Sequence, residues 1–143
     1  SMGREFTDLL REIIRKNRGQ DSVIFTGGIS EEKLLEFYRQ AKIFILPSVV
    51  ADGAFEGFGL VLIEAMSAGI PVIGTTPSGM DDIIIDGING FLVTQNNAEL
   101  LARAIEKVLS DEDLLKKMSG ESVKRAREFS WEKTIQEYVK FYG

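Results

Sequence analysis

Apolar positions change their spacing several times along this chain, and each change marks an element. Between Arg4 and Lys16 they fall at Phe6, Leu9, Leu10, Ile13 and Ile14. Steps of three and four place them on one helical face, which Gly19 is suited to end. Ser22-Val23-Ile24-Phe25-Thr26 is a β-rich run closed by Gly27-Gly28 and predicts a buried strand. Ser30, followed by Glu31, Glu32 and Lys33, predicts a helix start with acids at the positive end of the dipole. That helix continues through Leu34, Leu35, Phe37 and Tyr38 to about Ala41. Ile43-Phe44-Ile45-Leu46 predicts a second strand, ended by Pro47. A loop from Ser48 to Glu56 leads to an apolar helix from Gly59 to Ala68, stopped by Gly69.

Pro71 opens Val72-Ile73-Gly74-Thr75, a third strand, and Thr76-Pro77-Ser78-Gly79 is a turn. Met80 to Ile85 predicts a short helix; Asp86-Gly87 and Asn89-Gly90 are turn pairs before a fourth strand, Phe91-Leu92-Val93. From Asn97 onward the chain reads as helical, with Leu100, Leu101, Ala104, Ile105, Val108 and Leu109 on one stripe. Ser110 with Asp113 predicts a further helix start, and Ser130 the start of a last helix from Trp131 to Tyr142, in which Trp131 is a core anchor. Strands alternating with helices over short loops predict an α/β fold: a Rossmann-like, doubly wound parallel sheet covered on both faces. Ligands of such sheets bind beyond the carboxyl ends of the strands. Three predicted loops leave those ends: Thr26 to Ser30, Pro47 to Gly59, and Thr75 to Gly79.

A chain of 143 residues is expected to be one domain with a proper core. It has no cysteine, which excludes disulfides and thiolate metal sites, and no histidine, which removes the commonest general base. No apolar run approaches a membrane span, and the start lacks a signal-peptide pattern. A net charge of −5 argues against nucleic acid as a partner. The placement of charge says more than its sum. From Ile43 to Ala102 there is no Lys or Arg, while Asp52, Glu56, Glu64, Asp81, Asp82, Asp86 and Glu99 lie there. An anionic ligand in this region must therefore be held by backbone amides or by cations from elsewhere.

The stretch with most chemistry is Phe55-Glu56-Gly57-Phe58-Gly59-Leu60-Val61-Leu62-Ile63-Glu64-Ala65-Met66. Its apolar run predicts a buried helix, and a carboxylate in such a helix needs a donor, for which a ligand hydroxyl is suited. Gly57 and Gly59 let a ligand approach the main chain closely. The helix start offers unpaired amides to a phosphate. Asp111-Glu112-Asp113 has the spacing of an Asp-x-Asp metal motif but reads as a solvated helix start, and Arg39 and Lys42 read as surface residues.

Pro47-Ser48, the Glu56 to Met66 string, Gly69-Ile70-Pro71-Val72-Ile73, Gly79 to Ile84, Asp86 to Val93 and Phe129-Ser130-Trp131 together resemble the retaining nucleotide-sugar glycosyltransferases of family 4. Val23 to Gly27 and Ala41 to Ser48 fit the same pattern, so the resemblance covers essentially the whole chain. It implies the C-terminal, donor-binding half of a two-domain GT-B enzyme, acting on a UDP-, GDP- or ADP-sugar. Glu64 would accept the ribose hydroxyls and Glu56 would face the donor sugar as the catalytic-site acid. The amides of Gly57, Phe58 and Gly59 would meet sugar hydroxyls, and those of Leu60 and Val61 the diphosphate. Backbone around Thr26, Gly27, Gly28, Pro47 and Ser48 would border the base. No metal or other cofactor is implied. The location implied is cytoplasmic, with peripheral association at the inner membrane face left open for the full enzyme.

Departures from the family pattern carry their own expectations. Ser78-Gly79 and Asp82 stand where the family usually has a glycine pair and a glutamate. The loop Val49 to Phe55 is longer than in the simplest members. The glycine-arginine turn and the lysine that clamp the diphosphate in the family have no counterpart here, nor does an N-terminal acceptor domain. Ser1-Met2 resembles the remnant of a cleaved tag. The chain is thus expected to be part of a longer enzyme and inactive alone. The alternative is a non-catalytic nucleotide-binding regulatory module or subunit. A phosphorylase-like relative is disfavoured, because no lysine lies in the middle region to hold pyridoxal phosphate.

Overall fold

The fold is described from a computed structural model over residues 2–49 and 59–129, with side chains from residue 6 onward. The chain forms two compact units, Ser1–Leu34 and Leu35–Gly143. Glu56, Gly57, Phe58, the cap at Ser130 and Trp131 lie outside the described residues.

The first unit holds α1 (Met2–Lys16), whose end is closed by amides of Asn17 and Gly19 donating to the carbonyls of Ile13 and Ile14. The expected stripe is present in register, but Phe6, Leu9 and Ile13 are exposed. Val23, Ile24 and Phe25 form no strand, and Ile24 is 80% exposed. The expectation of a buried strand over Ser22–Thr26 is therefore corrected. A β-rich run becomes a strand only beside a partner that takes up its amides and carbonyls, and no described residues pair with this one. Instead, the Arg11 guanidinium sits 5.5 Å from the centre of the Phe25 ring. Gly27 takes φ of +59°, a conformation that favours glycine.

Helix α2 (Glu31–Gln40) begins as expected, with the Ser30 hydroxyl accepting the Lys33 amide. The second unit then builds a parallel sheet from β1 (Phe44–Leu46), β2 (Val72–Thr76) and β3 (Gly90–Thr94), in the order β1-β2-β3. Phe44 stands opposite Val72, and Val72 opposite Gly90. Helix α3 (Leu60–Ser67) connects β1 to β2, and the short 3-10 helix Gly79–Asp82 lies between β2 and β3. Helices α4 (Ala98–Ser110) and α5 (Glu112–Ala126) follow.

The alternation along each strand sorts the core into two clusters. Val72, Leu62, Ala65, Met66, Met80, Ile83 and Ile84 pack with Phe44, Leu46 and Leu92. Ile73, Val93 and Ala104 pack with Ile45, Phe91, Leu101 and Ile105. The sheet is thus covered by α3 and the 3-10 turn on one face and by α4 on the other, as a doubly wound fold requires.

Two glycines are set by close approach. A Cβ on Gly90 would lie 1.8 Å from the Val72 carbonyl oxygen, and one on Gly74 would lie 2.7 Å from the Met80 sulfur. Asn89 is fully buried: its carboxamide accepts the Ile85 amide at 2.7 Å, and its own carbonyl accepts the Ser122 hydroxyl at 3.0 Å. Ser119 donates to the Gly69 carbonyl at 2.6 Å, and Arg125 donates to the carbonyls of Ile83 and Asp82. Three α5 residues spaced three apart thus fasten two connections, α3 to β2 at Gly69 and β2 to β3 at Asp82, Ile83 and Asn89. Helix α5 is capped by Asp111, which accepts the Leu114 amide at 2.9 Å, so Ser110 closes α4 instead of opening α5.

Candidate functional site

The carboxyl ends of all three strands meet in one region of the second unit. Pro47-Ser48 leaves β1, Pro77-Ser78 leaves β2, and Gln95 leaves β3. The Thr75 hydroxyl donates to the Ser48 carbonyl, and the Gln95 carboxamide donates to the Pro77 carbonyl at 2.6 Å. These bonds tie the three exits together. Ser78 donates to the Thr75 carbonyl at 2.6 Å and accepts the Met80 amide, while Asp81 accepts the Ser78 amide at 2.7 Å. This capping box is what Ser78 does at the position where a glycine pair was the pattern.

Helix α3 starts in the same region. Gly59 is its N-cap, so no side chain caps it, whereas Asn97 caps α4 and Asp111 caps α5. Gly59 is buried with little room for a side chain: a Cβ there would lie 3.1 Å from Leu62 Cδ1. The first amides of α3, those of Leu60 and Val61, carry the partial positive charge of the helix start. Glu64 lies one turn further on, and helical side chains lean toward the N-terminus. Its carboxylate therefore shares a face with Leu60 and Val61.

That face is open, which corrects the expectation of a buried acid. Leu62, Ala65 and Met66 are buried, but Leu60 is 64% exposed, Val61 is 40% exposed and Glu64 is exposed. The run is apolar on two faces, and only one of them meets the core. Glu64 forms no ion pair among the described residues. Its partner is neutral: the Tyr38 hydroxyl donates to Glu64 Oε2 at 3.2 Å. The Tyr38 phenol is held above its ordinary pKa, first by burial, then by the Glu64 charge and the hydrogen bond to it.

A cleft of about 310 Å³ also opens here, on the α4 side, lined by Pro47, Thr75, Thr94, Asn97 and Leu101 among others. It shares Pro47 with the expected site residues but does not include Glu64, which lies on the α3 side. Thr26, Gly27 and Gly28 belong to the first unit. Pro47, Ser48, Gly59, Leu60, Val61 and Glu64 all belong to the second.

Sequence reasoning missed two residues here. Tyr38 is one; its place in the last turn of α2, following Phe37, gave it the look of a helix-face residue. Arg125 is the other, a cation brought from α5 to Asp82, where it donates to two carbonyls and pairs with Glu128. Arg39, Lys42 and Asp111 to Asp113 are exposed, as expected. Among the described residues, no three acids cluster to hold a metal ion, and no helix is long and apolar enough to cross a membrane.

Comparison with known proteins gives this arrangement its family. The chain belongs to the family "Glycosyl transferases group 1", whose model matches residues 3–143. It is 34% identical over 116 residues to an uncharacterized glycosyltransferase of Methanocaldococcus jannaschii, covering 81% of this chain and 32% of that protein. Among solved structures, sucrose-phosphate synthase from Thermosynechococcus elongatus superposes with a TM-score of 0.79 at 30% identity, covering 93% of this chain and 32% of the other. The Anabaena protein HepE, solved with UDP-glucose, superposes with a TM-score of 0.82 at 22% identity, covering 97% of this chain and 37% of the other. The fold is that of the C-terminal domain of GT-B glycosyltransferases. The chain spans about a third of the length of these relatives.

Proposed function

We propose that this chain is the donor-binding part of a longer glycosyltransferase. The complete enzyme passes a hexose from a nucleoside diphosphate sugar to a hydroxyl of a saccharide or lipid-linked acceptor, with retention at the anomeric carbon. One observation carries the reading. An uncapped helix start and a carboxylate that forms no ion pair among the described residues share the open face of α3, at the carboxyl end of a parallel sheet. The first suits a diphosphate and the second a ribose diol. A solved relative that holds UDP-glucose in the same fold supports the donor class.

In this reading Glu64 accepts the ribose hydroxyls, and the amides of Leu60 and Val61 receive the diphosphate. A departing diphosphate gains charge as the glycosidic bond breaks, so fixed amides there favour the transition state over the ground state. Glu56, with the amides of Gly57, Phe58 and Gly59, positions the sugar. Pro47-Ser48 borders the base. These roles rest on family resemblance, as do the N-terminal acceptor domain as partner, the cytoplasmic location and metal-free transfer. No cation is available between Ile43 and Ala102, so the rest of the diphosphate charge falls to cations from elsewhere.

The test is calorimetric titration of UDP-, GDP- and ADP-glucose into the complete enzyme. Saturable binding of one of them is expected, with thermal stabilisation of about 2.7 kcal/mol at 100 times Kd. Failure of all three to bind or to act as donors overturns the proposal. Glu64→Gln is expected to raise donor KM with little change in kcat, since the ribose does not react.

A further inference from the structure

We propose that Tyr38 is a positioning residue for the donor: its hydroxyl holds one oxygen of Glu64 so that the rest of the carboxylate stands ready for a vicinal diol. The inference rests on the donor-binding reading of Glu64 given above. Its geometry is independent of that reading.

Glu64 lies on the exposed face of a helix, where a glutamate otherwise samples many rotamers and loses them when a ligand arrives. Tyr38 removes much of that freedom beforehand. Its ring packs on the core cluster and lies 6.2 Å from the Phe44 ring at a tilt of 46°, so the phenol oxygen has a fixed place. From there it donates to Glu64 Oε2 at 3.2 Å.

The choice of a phenol matters. A phenol gives a single proton and so takes one acceptor position of the roughly four on a carboxylate. Oε1 and the second lone pair of Oε2 stay available, which is what two adjacent hydroxyls require. An arginine in the same place would bind both oxygens at once and compete with the diol. A tyrosine also leaves the carboxylate charge unneutralised, which strengthens its bonds to ligand hydroxyls. Burial and the neighbouring charge keep the phenol protonated, so it remains a donor through the neutral range.

The experiment compares wild type, Tyr38→Phe, Glu64→Ala and the double variant in the complete enzyme. Each is measured with a nucleoside diphosphate sugar and with its 2′,3′-dideoxyribose analogue. Tyr38→Phe keeps the ring against Phe44, so the melting temperature controls for packing. The expected result is a donor KM raised about two- to tenfold with kcat unchanged. That loss should disappear with the dideoxy donor and in the Glu64→Ala background. A loss of equal size in either of those arms shows a structural role and overturns the inference. So does an unchanged KM in Tyr38→Phe when Glu64→Ala raises it, and in that case the donor-binding reading survives. If Glu64→Ala leaves donor binding unchanged, or wild type binds no donor, the donor-binding reading falls and takes this inference with it.

Discussion

Single residues in this chain do work that depends on their exact neighbours. Gly90 is the sharpest case, since any side chain would enter the space of the Val72 carbonyl, which is backbone and cannot rotate away. Gly74 faces the ends of Met80 and Ile84, which can rotate. Gly90→Ala should therefore lower the stability of the 143-residue chain by more than Gly74→Ala, the latter by about 1–3 kcal/mol. Equal melting temperatures for the two variants would show that the β2–β3 contact is looser than described. Tyr38 makes a second prediction. Its folded-state pKa is raised, so the stability it contributes is complete below the unfolded value of about 10 and is lost as pH rises through the folded value. The advantage of wild type over Tyr38→Phe in urea unfolding should hold at pH 9 and shrink above pH 10. Parallel behaviour across that range would mean that the phenol does not titrate beside Glu64. None of this could be read from the sequence, because Tyr38 and Glu64 are 26 residues apart and meet only through packing.

At the scale of elements, β1, β2, β3 and α1 to α4 lie close to where the spacing of apolar residues and the glycine and proline stops put them. Two readings failed for the same physical reason: hydrophobicity states what can be buried, not what finds a partner. Val23 to Phe25 has strand composition but no ladder neighbour among the described residues. The run from Leu60 to Ala68 looked buried throughout, yet only the Leu62, Ala65 and Met66 side reaches the core. The exposed remainder is the face proposed to bind donor, so this misreading fell on the proposed site. Capping was legible in kind but off by one residue at Asp111, where an acid displaced the expected serine. Asn97→Ala and Asp111→Ala should each cost about 1 kcal/mol, seen as lower midpoints in urea with unchanged slope. A cost near zero for either would remove its cap from the account. Ser119, Ser122 and Arg125 were not legible at all, since their acceptors are main-chain carbonyls of distant connections.

For the molecule as a whole, the family resemblance was legible because its motif residues follow one another in order along nearly the full chain. The distribution of charge adds a constraint that the motifs do not state. With no cation from Ile43 to Ala102 and with Arg125 already bonded to carbonyls and Glu128, the stretch that holds the helix start offers a diphosphate amides and no cation. The purified 143-residue chain should therefore show no sugar transfer with donor and acceptor supplied. Turnover by that material would contradict the division of labour proposed between this chain and the rest of the enzyme. The most direct measurement of the central claim is a structure of the complete enzyme with its nucleoside diphosphate bound. Both ribose hydroxyls are expected within about 2.5–3.0 Å of the Glu64 carboxylate, and diphosphate oxygens at the amides of Leu60 and Val61. A nucleotide bound elsewhere, with Glu64 facing water or a protein cation, would contradict that claim.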